Sequence, residues 1–301
     1  ERHHLPANPF VDYAFFRVCH GNRIPLGLFY RDVYWQFDLY RRKLGWYKRL
    51  VTIPLYHLDL YAYRQSVDIL FLPSLQMLKH VRHWPRTKAV PELPPGGVLF
   101  DKGSEGPGHP ELRLLYVGAI SPPLYDIDNL LEGVYKAVQA DSKIQLTVCC
   151  PEADWHKRPP SYNNWLGDWV RIVHLSGEET QKLYNQQDVA VAYRVPSPYL
   201  EFAVPVKVFE ALGHGKPILT IDGTVVSDFV RANQCGWSVA PYPDDLSRLL
   251  QRLSNDSEKV EEKARISRNL RHEHTWAKRA ERVASLLSAR GAAANRITDR
   301  E

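Results

Sequence analysis

No stretch of the 301 residues holds the roughly 18 uninterrupted apolar positions that a membrane-crossing helix requires, so no helical span is expected. Cysteine is scarce. Cys19, Cys149, Cys150 and Cys235 are the whole set and form no Cys-x-x-Cys pair, so the expectation is four buried, reduced thiols rather than a metal site or a disulfide framework. An excess of charge is also missing: 39 Lys and Arg against 34 Asp and Glu leave a net +5. That balance suits phosphate-bearing ligands or anionic headgroups, and without a recognised binding motif it excludes nucleic acid as an expected partner. Gly and Pro, 17 and 22 residues, lie near average usage, which removes collagen-like and low-complexity classes. Of the twelve histidines, His80 and His83, and His272 and His274, are spaced closely, but neither pair has a Cys or carboxylate partner at a useful spacing. No catalytic metal and no cofactor are expected.

What is present is an ordinary globular composition, 44% hydrophobic and 24% charged, over a length that suggests two domains. The Gly- and Pro-rich stretch 94–110 is the best linker in the sequence. Beyond it, apolar runs at 112–117, 144–150, 170–175, 189–193, 218–221 and 237–240 read as strands. Helical patterns lie between them at 128–138, 177–186, 207–213 and 224–232. That rhythm predicts an α/β fold with a parallel sheet, a Rossmann-like domain over 107–287 followed by a frayed tail at 288–301. The first part, 1–106, carries fewer units: a helix at 14–20, strands at 26–30 and 67–73, and a short strand at 87–90. It is expected to be a small or truncated Rossmann-like domain whose first βα units lie upstream of Glu1.

The most informative segment is 194–217, RVPSPYLEFAVPVKVFEALGHGKP. Pro196 and Pro198 keep its entry extended, and Pro205 stands where a first-turn proline would. Gly213 and Gly215 end the short helix. A helix N-terminus at the C-terminal edge of a parallel sheet favours phosphate through free N–H groups and the helix dipole. Lys207 adds a positive charge there. Glu210 lies one turn on, on nearly the same face, where its carboxylate is able to accept the hydroxyls of a ribose. The same i,i+3 spacing also fits a surface ion pair, and on spacing alone that plainer reading is the favoured one.

A run of pieces in a fixed order adds a resemblance. LLYVGAI with YDIDNLLEG, IQLTVCC, VRIVHLSGEETQKLYNQQDVAVA and PVKVFEALGHGKPIL are followed by DDLSRLLQRL and HTWAKRAERV. Residues 112–287 in this order resemble the nucleotide-binding half of glycosyltransferases of the GT-B type, nearest the retaining family 4. The resemblance implies two Rossmann-like domains facing a cleft and a last helix that crosses back to the N-terminal domain. It assigns Gly118 to the donor loop, Lys207 to the donor diphosphate and Glu210 to the ribose. The sequence departs from the pattern twice. Relatives place a second glutamate with seven residues between it and the first, a position held here by Phe202, with Glu201 one step further away. The Arg and Lys that relatives place after the opening glycine are replaced by Ala119-Ile120-Ser121-Pro122-Pro123. Glu201 is therefore a catalytic candidate only through a rearranged loop, and Arg194 joins Lys207 as a candidate phosphate contact.

In the N-terminal half, Arg31 and Asp32 follow a strand directly, where polar side chains point into the cleft of an α/β domain. They are candidates for acceptor contact or proton handling, and equally fit a salt-bridged strand end; Ser74, after the second strand, is a weaker candidate. The run 40–50 places Arg41, Arg42, Lys43, Lys48 and Arg49 among Tyr40, Trp46 and Tyr47. That mixture suits either a solvated basic helix or an anionic membrane surface. The expected activity is transfer of a sugar from a nucleoside-diphosphate sugar to a glycan or lipid-linked acceptor in cell-surface polysaccharide or glycoconjugate synthesis. The expected location is the cytoplasm or the inner face of the plasma membrane. A nucleotide-sugar epimerase of the same fold and a non-catalytic nucleotide-sugar-binding scaffold remain alternatives.

Overall fold

The computed structural model describes residues 11–37, 45–81, 84–85, 88–100, 110–122, 124–194 and 197–298, with side chains through Ala292. The chain forms two compact units, Glu1–Pro94 with Ala277–Glu301, and Pro95–Trp276. The expected linker falls partly outside the described residues, at 101–109, while 95–100 are part of the second unit.

The second unit is built on six strands: β3 (Leu112–Val117), β4 (Ile144–Cys149), β5 (Val170–Val173), β6 (Val189–Ala192), β7 (Ile218–Ile221) and β8 (Gly236–Val239). All pair in parallel, in the order β5-β4-β3-β6-β7-β8. Parallel strands are covered on both faces, which is why β7 is apolar and buried along most of its length. On one face lie α3 (Asp128–Gln139) and α8 (Pro243–Ser254). Leu130, Leu131, Val134 and Ala137 of α3 meet Leu246, Leu249, Leu250 and Leu253 of α8 in the main core. Helix α4 (Glu152–His156) is a single short turn after β4. The other face carries α5 (Glu178–Asn185), α6 (Val206–Gly213) and α7 (Val225–Asn233), with α9 (Ser257–Leu270) beyond. The four cysteines are buried and free, and burial pushes the Cys150 thiol up to about 12, which keeps that thiol protonated and unreactive.

The two ends of this unit meet on the back of α6. Gly97 N donates to His274 O at 2.8 Å, and Trp276 N returns to Gly97 O at 3.2 Å. Arg271 Nη1 donates to Phe100 O at 2.9 Å and to Gly213 O at 3.2 Å. The approach is backbone on backbone: a Cβ on Gly213 would stand 2.1 Å from Val98 O, and one on Gly97 2.2 Å from Phe209 O. Beside this contact the His214 ring is stacked between Phe100 at 4.0 Å and Tyr184 at 4.7 Å. Its Nε2 lies 2.6 Å from Gln181 Oε1 and its Nδ1 3.3 Å from Asn185 Oδ1. Burial, with Lys216 and Arg271 nearby, pushes the imidazole down to about 4.

The first unit is smaller. Strands β1 (Gly27–Phe29) and β2 (Ile69–Phe71) pair in parallel; Ile69 of β2 is bridged to Ala89, and Leu72, just past β2, to Glu92. Helices α1 (Val11–Gly21) and α2 (Trp46–Ser66) pack together, with Tyr13 Oη donating to Asp59 Oδ1 at 2.7 Å and Trp35 stacked on Tyr56 at 5.0 Å. The last helix, α10 (Trp276–Thr298), lays Val283, Leu286 and Leu287 on the Ile69, Phe71 and Leu93 core. It continues as helix through the residues expected to fray from 288, and Arg290 lies 3.6 Å from Asp68. The 21-residue α2 was not legible as a whole, because its apolar residues lie on both faces and so show no one-sided period.

Two outcomes follow from the contacts behind α6. Gly213→Ala forces the 97–100 backbone away and is expected to cost about 2 kcal/mol, read as a lower urea midpoint with an unchanged slope. The His214 ring titrates near 4 when folded against an ordinary 6.5. The unfolded chain therefore binds the extra proton between those values, and stability falls as pH drops from 6.5 to 4. His214→Gln is expected to lower stability at pH 7 and to flatten that decline; parallel pH profiles for the two proteins would remove His214 as its source.

Candidate active site

The strand order turns between β3 and β6, with β4 and β5 continuing to one side and β7 and β8 to the other. Connections leaving two such neighbours run to opposite faces and open a crevice at the C-terminal edge of the sheet. A solvent-open cavity lies there. Leu115 and Val117 from β3, Ala190 and Ala192 from β6, and Pro205 and Lys207 at the start of α6 are among the residues that line it.

The start of α6 is chemically open. Pro205 occupies the cap position, one residue before the helix rather than inside its first turn, and supplies no side-chain bond to the first N–H groups. The neighbouring α7 is closed, since Ser227 N donates to Thr224 Oγ1 at 3.1 Å and Thr224 N to Ser227 Oγ at 3.2 Å. An uncapped N-terminus presents about half a positive charge to whatever fills the cavity.

Lys207 and Arg194 bring two full charges to that cavity. Lys207 Nζ donates to Glu210 Oε2 at 2.8 Å, so the two candidate donor residues hold each other. The lysine side chain is 43% exposed and the glutamate 23%. An i,i+3 pair that wet contributes only about 0.5 kcal/mol, so it is easily exchanged for a stronger anionic partner. Arg194 is held more firmly. Its guanidinium lies 4.8 Å from the centroid of the Tyr125 ring and near the Tyr116 hydroxyl. Tyr116 in turn donates its hydroxyl to Ala119 O at 2.7 Å, and burial raises its pKa while Arg194 offsets part of the rise. Gly118 ends β3 beside this group, and a Cβ there would stand 3.6 Å from Arg194 Nη2.

The loop after β3 is fixed by a buried side chain. Tyr162 Oη donates to Asp126 Oδ1 at 2.9 Å and accepts from Ile127 N at 3.0 Å, with Ile120 O at 3.2 Å. Asp126-Ile127-Asp128 is an Asp-x-Asp triad, which on sequence weighs against the expectation of no metal. Its carboxylates face protein donors: Asp126 Oδ1 also takes Asp128 N at 3.0 Å, and Asp128 Oδ1 takes Trp165 Nε1 at 3.1 Å. Among the described residues no group of three or more His, Cys, Asp or Glu side chains is placed to hold a metal ion.

The remaining candidates lie elsewhere. Glu201 is exposed on the turn before α6 and does not line the cavity, although its neighbours Leu200 and Ala203 do. Its side chain follows the turn outward while Phe202, at the glutamate spacing of the resemblance, is buried. Arg31 and Asp32 belong to the first unit. Arg31 is exposed, and Asp32 Oδ1 accepts Tyr34 N at 2.9 Å in a local turn just beyond β1. Ser74 is buried at the start of the short 3-10 helix Leu75–His80. Tyr116, Tyr125 and Tyr184, which shape the cavity or its cation, were missed, because a ring under a guanidinium leaves no spacing signal. The Thr224–Ser227 box was not read from the sequence either, because its third position holds Ser rather than the usual Glu or Gln.

The chain has solved counterparts at low identity. HepE of Anabaena, in complex with UDP and glucose, is similar at 12% identity and a TM-score of 0.64, over 91% of this chain and 74% of that one. WaaG, a glycosyltransferase involved in lipopolysaccharide biosynthesis, is similar at 16% identity and a TM-score of 0.60, over 87% and 74%. Sucrose-phosphate synthase of Thermosynechococcus elongatus gives 18% identity and a TM-score of 0.57, over 79% of this chain. The chain spans only 62% of that synthase and 46% of TarM. No curated protein matches it in sequence. These likenesses carry the fold, the GT-B α/β architecture of glycosyltransferases. Residues 130–285, just over half of the chain, match the model of the glycosyl transferase-like family, and the chain belongs to that family.

Proposed function

We propose that the chain is a glycosyltransferase that moves a sugar from a nucleoside-diphosphate sugar to a glycan or lipid-linked acceptor of a cell-surface polysaccharide or glycoconjugate. The reading rests on one observation: Arg194 and Lys207 reach the same cavity, at the switch point of the sheet, above the uncapped start of α6. Two cations and a set of amide dipoles around a partly apolar cavity suit a diphosphate leaving group. Fixed charge of this kind stabilises the developing negative charge of the transition state without reorganising water. In this reading the diphosphate displaces Glu210 from Lys207, since a charge-assisted bond to phosphate contributes about 1.5–3 kcal/mol against about 0.5 for the exposed pair. Glu210, released, turns to the ribose hydroxyls. Arg31 and Asp32 remain the acceptor-side candidates, and retention of configuration and the absence of a cofactor follow the resemblance alone. HepE and the pneumococcal transferase GtfA were each solved with UDP, which makes a UDP-sugar the first donor to try.

Calorimetric titration with UDP, GDP and ADP tests the donor site. One nucleotide is expected to bind in the micromolar range. Lys207→Ala is expected to weaken it about a hundredfold, equivalent to about 3 kcal/mol, and Glu210→Gln to weaken it less. Equal affinity in wild type and Lys207→Ala would sink the assignment. Binding of a nucleotide-sugar followed by its conversion without any acceptor would favour an epimerase instead.

A further inference from the structure

Helix α2 turns an apolar stripe to the outside. Tyr47, Leu50, Val51, Pro54, Leu58 and Tyr61 recur at three- and four-residue steps, which is one face of a helix, and all six are exposed. Trp46, at its start, is 68% exposed and Leu50 66%. The opposite face does the packing: Asp59 and Leu60 are buried, Tyr56 stacks on Trp35, and Tyr63 meets Phe16 of α1. A surface helix ordinarily reserves its charges for the outer face. This outer face carries none. Helix α1 repeats the pattern with Val11, Phe15 and Val18, all exposed.

Along the sequence leading into the stripe the charge has one sign. From residue 39 to residue 58 the sequence holds no Asp or Glu and five cations, Arg41, Arg42, Lys43, Lys48 and Arg49. The first carboxylate after them, Asp59, is buried and takes the Tyr13 hydroxyl, so it does not screen the surface. Residues 41–43 lie outside the described residues and enter through their sequence alone. A second copy of this face would set cation against cation in a twofold pairing, which argues against self-association. A membrane span is not available either, because no helix of the described residues is long and apolar enough to cross a bilayer. An anionic bilayer meets both features at once. Rings of Trp and Tyr settle at headgroup depth, aliphatic side chains enter the acyl boundary, and cations pair with the lipid charge.

We propose that the outer face of α2, from Trp46 to Tyr61, docks this protein in the plane of an anionic lipid surface. The full chain is to be sedimented with vesicles of phosphatidylcholine alone and with a roughly 7:3 mixture of phosphatidylcholine and phosphatidylglycerol. Binding is expected to the anionic vesicles only, falling with salt and accompanied by a blue shift of tryptophan emission. Leu50→Glu with Leu58→Glu changes exposed positions and is expected to abolish binding at unchanged circular dichroism. Lys48→Glu with Arg49→Glu is expected to weaken it at least ~tenfold. Absence of sedimentation with both vesicles, or wild-type binding by the Leu50→Glu, Leu58→Glu protein, would overturn the proposal. So would a concentration-dependent dimer that this double variant disrupts. Nucleotide titration of the same double variant is expected to be unchanged, which keeps this result separate from the donor-site reading.

Discussion

The pairing of β3 with β6 is the constraint on which the rest of the second unit depends. Its register joins Leu114 to Val189, Leu115 to Ala190 and Tyr116 to Val191, and these few residues connect the two halves of the sheet. Asp188 fixes the start of the pairing twice, since its N–H donates to Arg113 O at 2.9 Å and its carboxylate accepts Arg113 N at 2.8 Å. A slip of one residue would exchange the two faces of a strand. It would turn Leu115 and Ala190 away from the cavity and carry Arg194 off the Tyr125 ring. The largely apolar strands thus place the polar site, to which they contribute few polar atoms beyond the Tyr116 and Thr220 hydroxyls.

Electrostatics at the site follows a simple ranking. Lys207 and Glu210 are partly wet and neighbours on one helix, so their attraction is weak and reversible. Arg194 stands against an aromatic face and a buried tyrosine hydroxyl, an arrangement that restricts its rotamers before any ligand arrives. One cation is therefore mobile and the other pre-set. On the proposed reading the pre-set arginine orients the diphosphate, and the lysine closes on it after leaving its glutamate. The division also accounts for a loop after β3 that carries Ala119, Ile120 and Ser121 instead of cations, because the charge arrives from β6 across the switch point.

Much of this architecture was legible in the sequence because parallel strands are short continuous apolar runs. The run 218–221 coincides with β7, and the one-sided spacing of Leu130, Leu131, Val134 and Ala137 marks the buried face of α3. Lys207 was picked out by its place at a helix start, whereas Arg194 entered only as a substitute for the cations missing after β3; the structure puts both on the same cavity. Two kinds of feature were not legible. Helix α2 has apolar residues on both faces, so amphipathic periodicity cancels. Contacts across long separations, such as Tyr162 with Ile127 or His214 with Gln181, depend on a fold that no local spacing encodes. Glu201 shows the converse failure, because proximity in sequence to the site did not carry its side chain into the cavity.

The eight residues of α6 are too few to hold a helix by their own hydrogen bonds in water. Its stability must come from tertiary contacts, and their distribution is uneven. The C-terminal end is gripped by Arg271 on the Gly213 carbonyl and by the backbone at Val98. Beside it the His214 ring is locked between two aromatic rings and two amides. The N-terminal end has a proline cap without a side-chain bond. The tertiary contacts thus gather at the back, while the front, with no side-chain bond from Pro205, keeps an uncancelled dipole. An anion at the front therefore completes the helix rather than distorting it. The neutral, buried state of His214 serves the same end, because a charged imidazole behind α6 would add repulsion to Lys216 and Arg271 and strain the grip that keeps the front in place.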